Sequence, residues 1–272
     1  MTQRPASARL LGETFDLVGP AGILAFAAER AARGQKALVV NHNTHSLYLL
    51  DRNPEMRGAY EAADLVTLDS FPMLFWGKLL GRPFVRADRS TYTDWREEFW
   101  FLAQAKGWRV FYLGGEPGVA QTARQKLQAQ WPGAVIGVRD GYFDMGPGSA
   151  ENAQVLAEIE AFKPDILLVG MGMPRQEVWI ARNYAALTRG VVFSIGAAFD
   201  YEAGVQPMPP RWISRMGFQW LYRLLRDPRR MASRYLVEPF ALTGRALGDL
   251  AEALRLKAPP RPIGHSSKPA LP

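Results

Sequence analysis

Six short apolar runs recur along the first three-quarters of the chain, separated by stretches of helical spacing. The runs are Ala37–Asn41, Leu65–Asp69, Arg109–Leu113, Ala134–Val138, Ile166–Val169 and Val191–Ile195. Continuous apolar runs of this length, without strict alternation, are what strands buried on both faces require, as in a parallel sheet. Between them the spacing predicts helices over Gly19–Arg33, Pro54–Ala62, Pro72–Leu80, Tyr92–Lys106, Val119–Gln130 and Ala150–Phe162. In the first of these, Ile23, Leu24, Phe26 and Ala27 repeat at helical spacing. Strands alternating with helices of this length predict an α/β fold, a parallel sheet flanked by helices on both faces. Thr14–Val18 reads as a short edge strand, and no internal repeat is present.

The rhythm stops at Gly204–Pro210, which carries prolines at 207, 209 and 210. Helical stretches follow over Arg211–Leu225 and Arg229–Leu256, with breaks expected at Pro228 and Pro239. From Ala258 onward there are five prolines and little that packs. The chain therefore divides into a main domain over 1–204, a helical appendage over 205–256 and a disordered tail over 257–272.

Charge sharpens that division. The segment from Val205 holds 12 Lys/Arg and 4 Asp/Glu, a net of +8, whereas the preceding 204 residues hold 21 basic and 22 acidic side chains. A neutral globule carrying a basic segment implies an anionic partner: nucleic acid, a membrane surface or a phosphorylated substrate. Arg211, Arg215, Arg223, Arg226, Arg230 and Arg234 recur at spacings that place them near one helical face, with Asp227 the only acid in 211–234. Arginine suits phosphate because its planar fork grips two oxygens at once. Trp212, Phe218, Trp220 and Tyr222 are interleaved, residues that favour either a membrane boundary or a docking side.

There is no cysteine, which removes disulfides and thiolate metal sites and fits a reducing compartment. No run approaches the roughly 18 apolar residues that span a bilayer. Met1–Gly19 has no continuous apolar core of the secretory kind. His42 and His45 are too isolated to suggest a metal site, and no Asp-x-Asp pair is present to hold a divalent ion against a sugar-nucleotide diphosphate.

The chemistry gathers at strand ends. Asn41 and Asn43, Asp69, Gly114-Gly115, Asp140-Gly-Tyr142, Gly172 to Glu177 and Gly196 to Asp200 all lie at or just after the ends of predicted strands. In open α/β sheets the carboxyl edge is where ligands bind. Each cluster alone is compatible with ordinary turn chemistry, and Asp69 with a helix cap. Gly170-Met-Gly172-Met-Pro174-Arg-Gln-Glu177 is less ordinary: glycines allow close backbone approach, and Pro174 suits a helix start.

Together these clusters resemble the WecG/TagA/CpsF glycosyltransferases, family 26, over about residues 35–240. Gly172-Met-Pro-Arg-Gln-Glu177, Asp140-Gly-Tyr-Phe143, Gly196-Ala-Ala-Phe-Asp200 and Trp220-Leu-Tyr-Arg-Leu224 carry the likeness. The chain departs from it at Ser70–Pro72, at Tyr92 and at Pro207–Pro210, where the family has glycines or basic residues. The resemblance implies a Rossmann-like domain that moves a sugar from a UDP-sugar to an undecaprenyl-diphosphate-linked sugar. It implies inversion at the anomeric carbon, no metal or other cofactor, and peripheral work at the cytoplasmic face of the cell membrane. Asp69 is then the expected general base. Asn41, Asn43, Arg89, Gly114, Gly115, Tyr142, Gly172, Gln176 and Asp200 are expected at the donor, with one or more of Arg223, Arg226 and Arg230 turned onto its diphosphate.

On residues alone two other classes stay open. One is a nucleic-acid-binding protein using the basic helices, although no nucleic-acid motif accompanies them. The other is a nicotinamide-dependent oxidoreductase, although no strand is followed by Gly-x-Gly-x-x-Gly with an acid about 20 residues on. The donor sugar, the acceptor linkage and a homo-oligomeric state are not legible.

Overall fold

A computed structural model describes residues 5–257, with the side chains at 211, 214, 215, 230, 256 and 257 left aside. It opens with an antiparallel hairpin, β1 (Ser7–Leu10) and β2 (Glu13–Asp16), in place of the single edge strand expected at Thr14–Val18. The main body then runs α1 (Pro20–Ala32), β3 (Ala37–His42), α2 (Thr44–Leu50), α3 (Arg57–Glu61), β4 (Leu65–Leu68) and α4 (Phe71–Leu79). It continues with α5 (Tyr92–Lys106), β5 (Arg109–Gly114), α6 (Val119–Gln130), β6 (Val135–Arg139), α7 (Ala150–Phe162) and β7 (Ile166–Gly170). It closes with α8 (Arg175–Asn183), β8 (Val191–Ser194) and α9 (Ala198–Ala203).

Six strands pair in the order β4-β3-β8-β7-β5-β6, every pair parallel. Successive residues along each strand point to opposite faces, and both faces are covered. Ala37, Val39, Val110, Tyr112, Ile166 and Leu168 pack with α1, α5 and α6 around Trp100. Leu38, Val40, Phe111, Leu113, Leu167 and Val169 pack with α3, α7 and α8 around Trp179. Each such aliphatic side chain, fully buried, contributes roughly 1.5–3 kcal/mol relative to exposure. The strands read as unbroken apolar runs because neither face meets water.

Beyond α9 the helices are shorter than expected. The stretch anticipated as one helix over Arg211–Leu225 is α10 (Arg211–Met216) and α11 (Gln219–Arg226). The break falls at Gly217, whose φ is +84° and where a Cβ would collide with the Phe71 ring. The stretch over Arg229–Leu256 is α12 (Pro228–Ala232), a π-helical turn (Ser233–Val237), α13 (Glu238–Ala241) and α14 (Thr243–Lys257). The arginines of 211–234 therefore do not share one continuous helical face. The tail expected over 257–272 falls, from 258 on, outside the described residues.

The last helix returns to the first hairpin. Asp249 on α14 accepts from Leu11 N at 2.7 Å, and Arg245 donates to Leu11 O at 2.6 Å and to Asp51 Oδ1 at 2.5 Å. Leu242 and Ala253 share a buried cluster with Leu10, Phe15, Leu68 and Leu74. Packing, not only charge, joins the C-terminal helices to the body.

Candidate active site

All six strands of the large sheet end on one cavity of about 990 Å³. Asn41 lies at the end of β3 and Asn43 follows it, Asp69 follows β4, Gly115 follows β5 and Tyr142 follows β6. Gly172 and Gln176 follow β7, and Gly196 and Asp200 follow β8. The opposite wall comes from the C-terminal helices: Gln219 and Arg223 of α11, Met231 of α12, Arg234 of the π-helical turn and Glu238 of α13.

Asp69 sits on the cavity floor. Its N–H donates to His42 O at 2.8 Å, which ties the β4 exit to β3. Its carboxylate is not the cap of α4; Ser70 holds that place, Oγ accepting from Met73 N at 3.4 Å. Burial pushes the Asp69 carboxyl up to about 6, while Arg89, Arg223 and Arg234 pull it the other way. A carboxyl poised there is a proton acceptor at neutral pH that does not hold its charge too tightly.

Arginines surround that carboxyl from two sides. Arg89 does not line the cavity; it lies behind, Nη2 donating to Gln219 Oε1 at 3.0 Å and Nη1 at 3.6 Å from Asp94 Oδ2. Arg223 and Arg234 line the wall. Burial opposes the charge on both; around Arg223 the neighbouring groups, Asp69 among them, more than offset it. Arg226 does not line the cavity: it is exposed, its guanidinium 5.5 Å from the Tyr222 ring centroid. The Arg230 side chain falls outside the described residues.

The β7 exit is a rigid frame. Gln176 and Glu177 are wholly buried. Gln176 Oε1 accepts from Gly196 N at 3.0 Å, and Gln176 Nε2 donates to Glu177 Oε1 at 2.7 Å. The other Glu177 oxygen has no partner among the described residues, and burial pushes its carboxyl up to about 7. Arg175 donates to the Gly141 and Phe143 carbonyls, holding the β6 exit against that frame. Gly114 lies just outside the cavity, where any Cβ would collide with the Gly170 carbonyl, so β5 and β7 meet backbone to backbone. Tyr142 stands exposed at the rim.

Other expected residues have structural attachments as well. Asn43 caps α2, its Oδ1 accepting from Ser46 N at 2.9 Å, and Asn41 Nδ2 donates to Ser194 O at 2.8 Å. Asp200 Oδ2 accepts from Gln206 Nε2 at 3.1 Å. His42 and His45 part company. His42 is buried, stacked on Tyr60 at 3.9 Å, and its pKa is pushed down to about 3, chiefly by burial. His45 lines the cavity, its Nδ1 2.6 Å from Glu238 Oε2. Among the described residues no three His, Asp or Glu side chains come together as a metal cage.

Several lining residues escape a sequence reading: Thr91, Tyr201, Gln219, Arg234 and Glu238. Thr91 precedes α5 and has no strand end to mark it. Tyr201 stands on α9 beside Asp200, unmarked by any spacing, whereas Gln219, Arg234 and Glu238 reach the cavity only because of the break at Gly217 and the turns after Asp227. Arg234 was visible as one arginine among six, with nothing in the spacing to single it out.

A parallel sheet covered on both faces, with every strand exit opening on one polar cavity, is a Rossmann-like fold with its ligand site at the carboxyl edge. Over residues 8–255 the chain matches the Glycosyl transferase WecG/TagA/CpsF family, and it belongs to that family: it is a glycosyltransferase. It is similar to two Staphylococcus aureus proteins named N-acetylglucosaminyldiphosphoundecaprenol N-acetyl-beta-D-mannosaminyltransferase. That of strain MRSA252 is 28% identical over 206 residues, covering 72% of this chain and 78% of the relative. That of strain MW2 is 27% identical over the same length.

Proposed function

We propose that the protein transfers a sugar from a UDP-sugar to a sugar linked through diphosphate to a polyprenol, with inversion, in making a cell-surface polymer. The observation that carries this reading is Asp69, a carboxyl raised to about 6 on the floor of a cavity walled by Arg223 and Arg234. The Asp69 carboxylate takes the proton of the acceptor hydroxyl as that oxygen attacks the anomeric carbon. The bond from that carbon to the UDP oxygen breaks, and the electron pair leaves with the diphosphate. Attack opposite the leaving group inverts the centre.

Charge grows on the departing diphosphate, and preorganised cations and N–H groups aimed at it lower the barrier. Arg223 and Arg234, with the backbone N–H groups of the Gly172–Arg175 turn, are the groups assigned to it, so the reaction needs no metal. Asn41, Asn43, Tyr142 and Asp200 border the donor, and Arg89 tunes Asp69 from behind. The relatives' printed names support a polyprenyl-diphosphate acceptor carrying N-acetylglucosamine.

No helix among the described residues is long and apolar enough to cross a membrane. The enzyme instead works peripherally, at the cytoplasmic face, held by its basic C-terminal helices. A panel of UDP-sugars and nicotinamide dinucleotides in thermal-shift assays tests the donor class, because a ligand that binds only the native state raises the melting temperature. The expected result is stabilisation by UDP and one or more UDP-sugars. Stabilisation by the nicotinamide dinucleotides alone contradicts the reading.

A further inference from the structure

Among the described residues, large apolar side chains left open to solvent are not scattered. Of 18 such residues, 3 lie between β4 and α5 and 12 lie from Val205 onward. Single exposed hydrophobics need no explanation, but a concentration of them on adjoining elements does. The C-terminal share fits the membrane reading already given. The three between β4 and α5, Phe75, Leu79 and Val85, have no place in the reaction.

Phe75 and Leu79 stand on α4 at 61% and 63% exposure, one turn apart, while Met73, Leu74 and Gly77 face inward. Pro72, also exposed, extends the stripe to the start of the helix. From Ser70 to Ala87 there is no acid at all, against Lys78, Arg82 and Arg86. Lys78 and Arg86 are exposed beside the stripe. Arg82 reaches the C-terminal helix, 3.1 Å from Glu252.

This face adjoins the C-terminal one at both ends. Gly217, between α10 and α11, packs on Phe71 at the head of α4, next to exposed Met216 and Phe218. Leu74, Leu80 and Phe84 share their cluster with Leu242 and Ala253 at the other end. The head of α4 also follows Asp69 directly, so the apolar face starts beside the cavity floor.

We infer that α4 is the main body's own half of a bilayer-contacting face, a proposal that rests on the membrane reading above. Phe75 and Leu79 enter the headgroup–acyl boundary of an anionic bilayer, and Lys78 and Arg86 meet lipid phosphates. Apolar burial with flanking basic charge is how such elements lie on a membrane. A second copy of the chain fits worse, because a two-fold contact sets a patch against itself. Here that would oppose basic residues with no acid to answer them. With contacts on both α4 and the C-terminal helices, the cavity mouth is held beside the surface where a lipid-linked diphosphate resides.

The chain has no cysteine, so Leu79→Cys gives a unique attachment point for an environment-sensitive fluorophore. Full-length protein labelled there is mixed with vesicles containing phosphatidylglycerol, with Phe101→Cys on α5 as the control. The expected result is a blue shift at position 79 and none at 101. In sedimentation, the double variant Phe75→Ser, Leu79→Ser should lose about tenfold or more in vesicle partitioning, given the apolar area withdrawn, with an unchanged melting temperature. If wild-type protein ignores the vesicles at low salt, the membrane reading itself falls, and this inference with it. If wild type binds but neither the label nor the double variant responds, the C-terminal helices anchor alone and the role of α4 is overturned. Conversion of a dimer to a monomer by the double variant, with vesicle binding intact, overturns it in favour of a second copy.

Discussion

Glu238 holds its Oε2 2.6 Å from Nδ1 of His45, joining α13 to α2 at the edge of the cavity. The carboxylate is 5% exposed, so the contact is made largely out of water. Burial and Arg234 lower the His45 pKa, and Glu238 opposes them. The pair thus fixes the cavity wall that Arg234 belongs to. Hydrogen bonds involving charged groups contribute about 1.5–3 kcal/mol. Glu238→Ala should lower stability by that order in urea unfolding and reduce transfer, and Glu238→Gln, which keeps an acceptor oxygen, should restore most of both. Wild-type transfer by Glu238→Ala would show that the wall stands without this contact.

Two neighbouring arginines on α11 should behave differently. Arg223 lines the cavity, whereas Arg226 lies exposed against Tyr222. Loss of a group that stabilises developing charge typically costs about 10²–10³ in turnover. Arg223→Ala and Arg234→Ala are each expected to show that loss in kcat, with Arg226→Ala within a few-fold of wild type. Equal damage from Arg226→Ala would mean that the helices rearrange when substrate is bound.

Glu177 gives a stability signature that turns on pH. Its carboxyl is raised to about 7 by burial, so its contribution is fully present below the ordinary carboxylate range and is lost as pH rises through 7. Glu177→Gln removes that loss. Relative to wild type, the variant should gain on the order of 3 kcal/mol between pH 4 and pH 8, at about 1.4 kcal/mol per pKa unit. Comparing the two proteins cancels His42, whose lowered pKa acts in the opposite sense in both. Parallel pH–stability curves would show that the buried carboxyl finds compensation on ionising.

Much of this was legible because buried parallel strands leave an unmistakable trace. The apolar runs located all six strands of the sheet, and the polar or glycine clusters after them marked the cavity floor. Two things defeated sequence reading. The helix α2 follows β3 at once and depends on the Asn43–Ser46 cap, and its seven residues are too few for apolar Leu47 and Leu50 to show a helical period. The C-terminal arginines had a regular spacing, but Gly217 turns the chain against Phe71, and which arginine faces the cavity is decided by that packing. Spacing carries no information about such a turn.

Chelation separates an arginine-held diphosphate from a metal-held one. Transfer should be unchanged in EDTA. Loss of activity that Mg²⁺ or Mn²⁺ restores would reassign the task of charge stabilisation to an ion.

The role of Asp69 is tested most directly by sugar transfer to a polyprenyl-diphosphate-linked N-acetylglucosamine acceptor, followed across pH for wild type and Asp69→Asn. With its carboxyl near 6, wild-type kcat/KM should fall about tenfold per pH unit below that value and level off above it. Asp69→Asn should lose two or more orders of magnitude in turnover, consistent with what a general base contributes. It should also show no limb near 6 and bind UDP as wild type does. Near-wild-type turnover by Asp69→Asn, or an unchanged limb at pH 6, would contradict the assignment of Asp69 as the base.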